Sequence, residues 1–364
     1  MIKGLNIWLP SYLKQQAWKP VPGNVTDILI SVCDHYEPFH HADKKTAMTR
    51  LAGWKKGWPE LISEFQDSDG IRPRHSFFYP IEQYDPDVLN EISELCQLSG
   101  GEVEIHLHHK NDTADTLREK LEQGKADLRR HNLLPLDQKG NIRYGFIHGN
   151  WSLDNSHPEG RNCGVSNELG VLRQTGCYAD FTMPSAPHPT QTRTVNSLYY
   201  GIDTPEPKSH DCGIPASANG APTRRYRFDL DKLLLVQGPL GLNWSHRKWG
   251  VLPKIENADL TGANPPRPDR MRLWLRAGVH VQARPEWLFI KLHTHGAISP
   301  NSDMILGEPM RRFHQHLMQA YKNEHYRLHY VTAREMVNIL HAAEDGKSGN
   351  PGVYRDYVYK LSNR

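Results

Sequence analysis

Short apolar segments that alternate with helical segments run through most of this chain of 364 residues. The segment 27–33 (DILISVC) is a predicted buried strand, and the segment 46–65 behind it carries Trp54, Trp58 and Leu61 at helical spacing. Further predicted strands, each followed by a predicted helix, lie at 76–79, 103–107, 142–147, 287–292 and 327–331. Parallel strands joined by right-handed helical crossovers produce this alternation. We therefore expect an α/β fold in the form of a distorted or incomplete (β/α) barrel.

An inserted loop and hairpin are expected at about 184–245. The first part of this insertion, up to residue 223, is rich in Pro, Ser, Thr and Asn, but the segment 195–200 (VNSLYY) is too apolar for a disordered linker. We therefore expect an ordered loop that covers the mouth of the barrel. The segments 225–230 (RYRFDL) and 233–242 (LLLVQGPLGL) are predicted to pair as the hairpin.

The remaining chain is predicted to form one domain at 25–345, with an N-terminal extension at 1–24 and a C-terminal tail at 346–364. The formal net charge is +3, which is too small for a nucleic-acid-binding surface. The five cysteines form no CxxC pair, so they indicate neither a disulfide framework nor a zinc ribbon. No apolar run approaches the length of about 18 residues that a transmembrane helix needs, and the first residues lack a signal-peptide core. We expect a cytoplasmic protein without a transmembrane segment.

Histidine and acidic side chains follow four of the predicted strands, at the point where each strand ends. Asp34 and His35 end the first, and the later strands lead into 106–112 (HLHHKND), 148–155 (HGNWSLDN) and 293–296 (HTHG). The carboxyl ends of parallel strands in an α/β barrel face one mouth, where active sites are built. The sequence therefore predicts one polar site at this mouth.

Two of these strand ends carry a His-x-His pair. Successive side chains of a strand point to opposite faces, so His106 and His108 share one face, and His293 and His295 share one face. Two imidazoles directed at one point suit a divalent metal ion such as zinc. The carboxylate of Asp34 would complete a set of three ligands with an open position for water.

The order of these motifs resembles that in the polysaccharide deacetylases of the NodB-homology type, carbohydrate esterase family 4 and its relatives. In that family a strand with an acidic end is followed by an ATFF-like strand, an E-I-x-x-H-x-x-x-H motif, an R-P-P-Y-like turn and a late L-H motif. The corresponding segments here are DILISVCDH, HSFFYP (75–80), Glu104-Ile105 with His108, FIHGNW (146–151) and IKLHTH (290–295). The resemblance covers roughly residues 25–345. It implies the barrel of that family and the hydrolysis of an N-acyl or O-acyl group on a saccharide.

The resemblance implies a divalent metal cofactor, with Zn²⁺ as the expected ion, and it leaves two ligand sets open. Four residues after His108 the family has a second histidine, where this chain has Asp112. The ligands are therefore Asp34, His106 and His108, or Asp34, His108 and Asp112. Side-chain direction along the strand favours the first set.

Proton transfer is assigned to side chains at the same mouth. Either a carboxylate, Asp34, or His35 is expected to take a proton from the attacking water, and His295 or His293 is expected to protonate the leaving amine. Of the last two, we expect His295 to be the acid and His293 to orient it or to serve as an extra ligand.

The expected partner is an acylated saccharide substrate. His148 and Asn150 stand where the family has the arginine of its turn, and Trp151 lies in a Gly/Asn/Ser loop typical of an exposed aromatic platform. The residues expected to contact the saccharide are His148, Asn150, Trp151, Asn155 and Arg193.

Two other functions remain as alternatives. A glycoside hydrolase would need two carboxylates across the mouth, which Asp34 with Asp154 or Asp180 could supply, but the histidines would then have no purpose. A non-catalytic glycan-binding homologue would have lost its base, and Cys33, at a position where a carboxylate is expected, is consistent with that loss.

Overall fold

The computed structural model describes residues 4–218 and 221–361. The strands are β1 (Thr26–His35), β2 (Ser76–Pro80), β3 (Glu102–Leu107), β4 (Tyr144–His148), β5 (Cys177–Asp180), β6 (Leu198–Ile202), β7 (Gly213–Pro215), β8 (Lys232–Val236), β9 (Gly241–Lys248), β10 (Leu252–Glu256), β11 (Asp259–Leu260), β12 (Trp287–Thr294) and β13 (Tyr326–Tyr330). The α-helices are α1 (Leu5–Lys14), α2 (Lys44–Ile62), α3 (Pro86–Ser99), α4 (Ala114–Arg130), α5 (Glu168–Gln174), α6 (Ala221–Tyr226), α7 (Pro268–Ala277), α8 (Asn301–Ile305), α9 (Glu308–Tyr321) and α10 (Ala333–Glu344). No helix in these two ranges has the length and apolar character needed to cross a bilayer.

Eleven of the strands form one mixed sheet around β1. β1 runs parallel to β12 on one side, and to β13 and then β2 on the other. The parallel order continues through β3, β4, β5 and β8, and the antiparallel strands β6 and β7 close that end. β11 lies at the opposite edge, beside β12, and in the described ranges it does not pair with β7. The sheet is a curled, open half-barrel, which confirms the expected incomplete barrel.

Alternate residues of β1 enter two different hydrophobic cores. Ile28 and Val32 pack with residues of α2, α3 and α9 on the face that we call outer. Leu29 and Cys33 lie on the other, inner face, which residues of α10 cover. The whole strand is buried, as is typical of a central parallel strand with both faces covered. The same alternation directs His35, the last residue of β1, to the inner face.

The insertion has a different structure from the one predicted. The segment 233–242 does not pair with 225–230; instead β8 enters the main sheet between β5 and β6, and 221–226 is helical. The reason is that Leu233–Val236 is buried in this sheet, which a solvent-facing hairpin strand would not allow. The hairpin of the insertion is formed by β9 and β10. The apolar segment at 195–200 contributes to a strand, β6, as its composition indicated.

The two ends of the described chain both pack onto the fold. At the N-terminal end, Trp8 of α1 is fully buried against Ala186, Val195 and Leu240 of the insertion. At the C-terminal end, the main chain of Lys360 pairs with that of Leu136. The five cysteines are all free.

A buried arginine links the C-terminal segment to the sheet. The Arg334 guanidinium in α10 donates two hydrogen bonds to the Glu102 carboxylate of β3, at 2.9 and 2.7 Å. It also donates to the carbonyl oxygen of Tyr359 at 2.6 Å. The side chains of Arg334 and Glu102 are about 1% and 2% exposed, so the pair is desolvated and depends on these bonds.

Candidate active site

A cluster of imidazoles and one carboxylate lies on the inner face, at the carboxyl ends of β1 and β3. His35 ends β1, Glu37 follows two residues later, and His106 comes from β3. One ligand atom from each of these three buried residues lies within 4.8 Å of the other two. We call His35, Glu37 and His106 the first cluster. His35 Nδ1 is buried and has no hydrogen-bond partner in the described part of the chain.

The contact between His106 and Glu37 requires either a proton or a metal ion between the two atoms. His106 Nδ1 lies 3.1 Å from the carbonyl oxygen of Ile147, which can only accept a hydrogen bond. A neutral ring therefore leaves Nε2 unprotonated, and this atom lies 3.2 Å from Glu37 Oε1. Two electron-pair acceptors in contact need a second proton or a metal ion between them. A backbone carbonyl on the distal nitrogen is the usual support of a metal-ligating histidine.

Three further histidines surround the first cluster. The ring of His295 lies 4.6 Å from that of His35, and the ring of His293 lies 6.2 Å from it. The ring of His108 lies 4.6 Å from that of His106. The structure thus brings together the two predicted His-x-His pairs.

His108 lies at the edge of this group and is paired with another carboxylate. Its Nε2 is 3.6 Å from Glu37 Oε1, and its Nδ1 is 2.7 Å from Glu82 Oε1. Burial lowers the pKa of His108, but the hydrogen bond with Glu82 and the charges of Glu82 and Glu37 raise it above the usual value.

The electrostatics of the first cluster favour an ionised Glu37 carboxylate and a neutral His35 imidazole. Burial raises the pKa of Glu37, but the hydrogen bond and charge of His106, with the charges of His108 and His295, lower it to about 2. Burial, together with the nearby charges of His295 and His106, holds the pKa of His35 well below its usual value. Lone pairs on nitrogen and a charged oxygen are the ligand atoms that a divalent ion requires.

The structure places Asp34 away from the first cluster. Its Oδ2 lies 2.8 Å from His75 Nε2, and its Oδ1 accepts a hydrogen bond from the backbone N–H of Gly296 at 2.6 Å. Asp34 is fully buried on the outer face because it alternates with His35 along β1. The predicted ligand and base Asp34 therefore does not meet His106. Its bond to Gly296 holds the turn that carries His295.

The structure also separates Asp112 from the first cluster. Asp112 Oδ2 pairs with Lys120 Nζ at 2.7 Å and lies 3.1 Å from His109 Nδ1. His148 lies beside the same histidine, with ring centroids 4.5 Å apart. Neither Asp112 nor His148 is among the side chains that surround His35 and His106. His108 and Asp112 therefore do not belong to one set of metal ligands in this structure.

Glu37 was missed by the sequence reasoning, although a usable signal was present. The segment 34–37 (DHYE) continues the alternation of β1, which places His35 and Glu37 on one side and Asp34 and Tyr36 on the other. The same two-residue alternation predicts that His106 and His108 share a face. Tyr36 packs in the outer core, as the alternation requires.

A groove of about 400 Å³ is lined by residues 184–189 of the insertion and by His293 of β12. The half-buried Trp151 also lines it, with its ring 5.6 Å from that of His188. The other lining residues are Pro184, Ser185, Ala186, Pro187, Pro189 and Asn257. An aromatic ring in such a groove offers a flat apolar face against which a ligand can pack.

The other predicted substrate contacts have different surroundings. Asn150 is half-buried, and its backbone N–H donates to His148 Nδ1 at 3.2 Å. The Asn155 amide donates to Ser166 Oγ at 3.3 Å. Arg193 pairs with Asp211, at 2.5 Å between Nε and Oδ2, so its guanidinium is already engaged. Of the five predicted contacts, the structure brings Trp151 to the groove.

A third group, Asp67, Asp69 and His329, has the composition of a metal site but is occupied by other partners. The Arg355 guanidinium lies 3.1 Å from Asp67 Oδ2 and 3.3 Å from Asp69 Oδ2. The two nitrogens of His329 contact Asp69 and Asp27 at 2.9 and 2.8 Å. A fixed arginine charge between two carboxylates leaves no place for a second cation.

Comparison with known proteins gives similarities in structure alone. No family model matches the chain. No curated protein matches it either. Among solved structures, the chain is similar to a putative polysaccharide deacetylase from Mycobacterium smegmatis, with 12% identity, a TM-score of 0.43, and coverage of 92% of this chain and 95% of that one.

A second similar structure is the Xyl-CE4 domain of a multidomain xylanase from the hindgut metagenome of Trinervitermes trinervoides. The identity is 11%, the TM-score is 0.33, and the match covers 90% of this chain and 94% of that domain. Both TM-scores and both identities are low. A functional assignment must therefore rest on the residues of the first cluster and the groove beside it.

Proposed function

We propose that the chain is a metal-dependent hydrolase that removes an N-acyl or O-acyl group from a saccharide. One observation carries the proposal: His106 Nε2 lies 3.2 Å from Glu37 Oε1, in a cluster with His35. The neighbouring His293, whose ring is 6.2 Å from that of His35, lines a groove together with Trp151. This arrangement combines a place for a cation with a surface for a sugar ring.

The ligand atoms of the first cluster fit a divalent ion. His35, Glu37 and His106 supply two imidazole nitrogens and one carboxylate oxygen, a set found in hydrolytic zinc sites with an open position. When bound, such an ion would polarise the acyl carbonyl and make water a stronger nucleophile at neutral pH.

The histidines of β12 are placed to move protons between water and the leaving group. His295 is only partly buried and lies beside His35, while Asp34 holds the following residue, Gly296, by a hydrogen bond. We assign His295 to take the proton from water and to return it to the leaving nitrogen or oxygen. Asp34 then acts as a positioning residue for His295, and His293 faces the groove, where it contacts the substrate.

The proposal is tested by the product released from acylated oligosaccharides. With acetylated chitooligosaccharides, we expect release of acetate, loss of this activity after chelation, and recovery on addition of Zn²⁺. New reducing ends without acetate would assign a glycoside hydrolase instead. Binding of the oligosaccharide with neither product, by fully metal-loaded protein, would assign a glycan-binding protein.

Trp151→Ala is expected to weaken substrate binding without slowing the chemical step. Stacking of an aromatic ring contributes about 0.5–1.5 kcal/mol beyond buried area, so KM should rise roughly 3- to 10-fold at an unchanged kcat. Steady-state kinetics on the acetylated oligosaccharide measure both constants. Trp244→Ala is the matched control, because Trp244 is 57% exposed on β9 and does not line this groove. An unchanged KM in Trp151→Ala would remove Trp151 from the binding surface.

A further inference from the structure

A second group of metal-ligating side chains lies beside the first cluster but is distinct from it. It consists of His109, which follows β3, His148 at the end of β4, Cys163 in the loop 149–167, and Glu168 at the start of α5. We call these four residues the second cluster. Each is buried and offers one ligand atom, and the four atoms lie within 4.8 Å of one another.

The sulfur of Cys163 is buried beside the Glu168 carboxylate. Its Sγ receives the backbone N–H groups of Asn155 and Val165, each at 3.4 Å. The thiol donates to Glu168 Oε2 at 3.3 Å. A divalent ion that displaced the thiol proton would lie between these two ligand atoms.

His109, like His106, has a ring nitrogen in contact with a glutamate oxygen. Its Nε2 lies 3.0 Å from Glu168 Oε1, and its Nδ1 lies 3.1 Å from Asp112 Oδ2. Asp112 is held in turn by Lys120 and Thr116. A histidine with a carboxylate beside its distal nitrogen is the usual arrangement at zinc.

His148 supplies the fourth position. Its side chain is fully buried, its Nε2 has no hydrogen-bond partner in the described part of the chain, and its Nδ1 receives the Asn150 N–H at 3.2 Å. An ion bound through Nδ1 would use the lone pair that accepts this hydrogen bond. An ion bound through Nε2 would leave the ring proton on Nδ1, which could then no longer accept from Asn150. Both binding modes therefore break the Asn150 hydrogen bond and couple ion binding to the turn that carries Trp151.

We propose that the second cluster binds a second divalent metal ion of the zinc type, in a structural role. Four protein ligands without an exposed member are typical of closed structural sites, and nitrogen, sulfur and carboxylate are ligands that Zn²⁺ accepts. The ion would join the ends of β3 and β4 to α5. It would close the loop 149–167, whose only regular element is the short 3₁₀ turn Leu153–Asn155. This site is independent of the hydrolytic function.

Cobalt substitution distinguishes the two clusters, because only the second one contains sulfur. Glu37→Gln removes the carboxylate ligand of the first cluster. The variant is stripped of metal and titrated with Co²⁺ alone. We expect it to bind one equivalent and to show a near-ultraviolet thiolate-to-cobalt charge-transfer absorption. The absorption should disappear when Cys163→Ser is added and persist when Cys177→Ser is added. Cys177 is the matched control, because it is buried in β5 with its Sγ bonded to the Ala179 carbonyl.

A second variant keeps the test valid if the loss of Cys163 impairs folding. Glu168→Gln preserves the shape of the side chain, and we expect it to lower Co²⁺ affinity at least about 10-fold while circular dichroism stays native. Absence of the charge-transfer absorption in folded Glu37→Gln, or its persistence in Cys163→Ser, would overturn the second site. A wild-type protein that shows the absorption but hydrolyses no acylated sugar would retain this site and lose the proposed function.

Discussion

His106→Ala is expected to remove the metal ion from the first cluster and to reduce acyl hydrolysis by about 10²-fold or more. In the proposed site the ring supplies one of three ligands, and its removal leaves Glu37 and His35 as the other two. Metal analysis after gel filtration and the rate of acetate release measure the two effects separately.

The matched control is His314→Ala. His314 is also a buried imidazole, but it lies on the outer face in α9, where its Nδ1 bonds to the hydroxyl of Tyr330 at 3.0 Å. We expect this variant to lose some stability and to keep its metal content and its rate per folded molecule. Full metal content and full activity in His106→Ala would show that the first cluster is not the catalytic centre.

Arg334→Met is expected to destabilise the protein by about 3–5 kcal/mol, because the buried Glu102 carboxylate loses the two charged hydrogen bonds that it receives from Arg334. Urea denaturation followed by circular dichroism gives the change in the free energy of unfolding. Arg312→Ala is the control, since Arg312 pairs with Glu308 on the surface of α9, where such a pair contributes about 0.3–0.5 kcal/mol.

A double variant identifies the cause of the loss. If the loss of the bonds between Arg334 and the buried Glu102 charge is responsible, Arg334→Met combined with Glu102→Leu should recover a large part of the stability, since apolar residues can replace a buried ion pair. A double variant as unstable as the single one would instead assign the effect to the bonds from Arg334 to the C-terminal segment.

The alternation of strands and helices could be predicted because each signal is local. The strands predicted at 27–33, 76–79 and 103–107 all appear close to their predicted bounds. The parallel order then places the polar strand ends at one edge. The insertion at 184–245 could not be predicted in the same way, because β6 and β8 pair with each other and with β5 across long separations in the chain.

The group of side chains around the first cluster was predicted in part. The structure brings His106, His108, His293 and His295 together around His35, because the two-residue repeat of a strand is a strong geometric rule. The sequence favoured Asp34 as the carboxylate beside His106, whereas the structure places Glu37 there and Asp34 beside His75.

The second cluster could not be predicted from spacing. Its ligands are 39, 15 and 5 residues apart, at 109, 148, 163 and 168, and no short motif joins them. They meet because β3 and β4 are parallel neighbours and because the loop 149–167 returns to the end of β3 before α5 begins. The proximity of these four side chains is therefore visible in the folded structure and not in the spacing of the sequence.

The position of β1 between three parallel neighbours makes the composition of the first cluster depend on strand register. β12 aligns with β1 over eight residues, from Asp27 opposite Trp287 to Asp34 opposite Thr294, while β13 and β2 fix the other side. Deleting one residue from within β1 would exchange the two faces beyond the deletion. Asp34 would then take the inner-face position of Cys33, His35 would turn to the outer face, and Tyr36 would take the place of His35. A single codon loss would therefore change both the charge and the side chains of the first cluster.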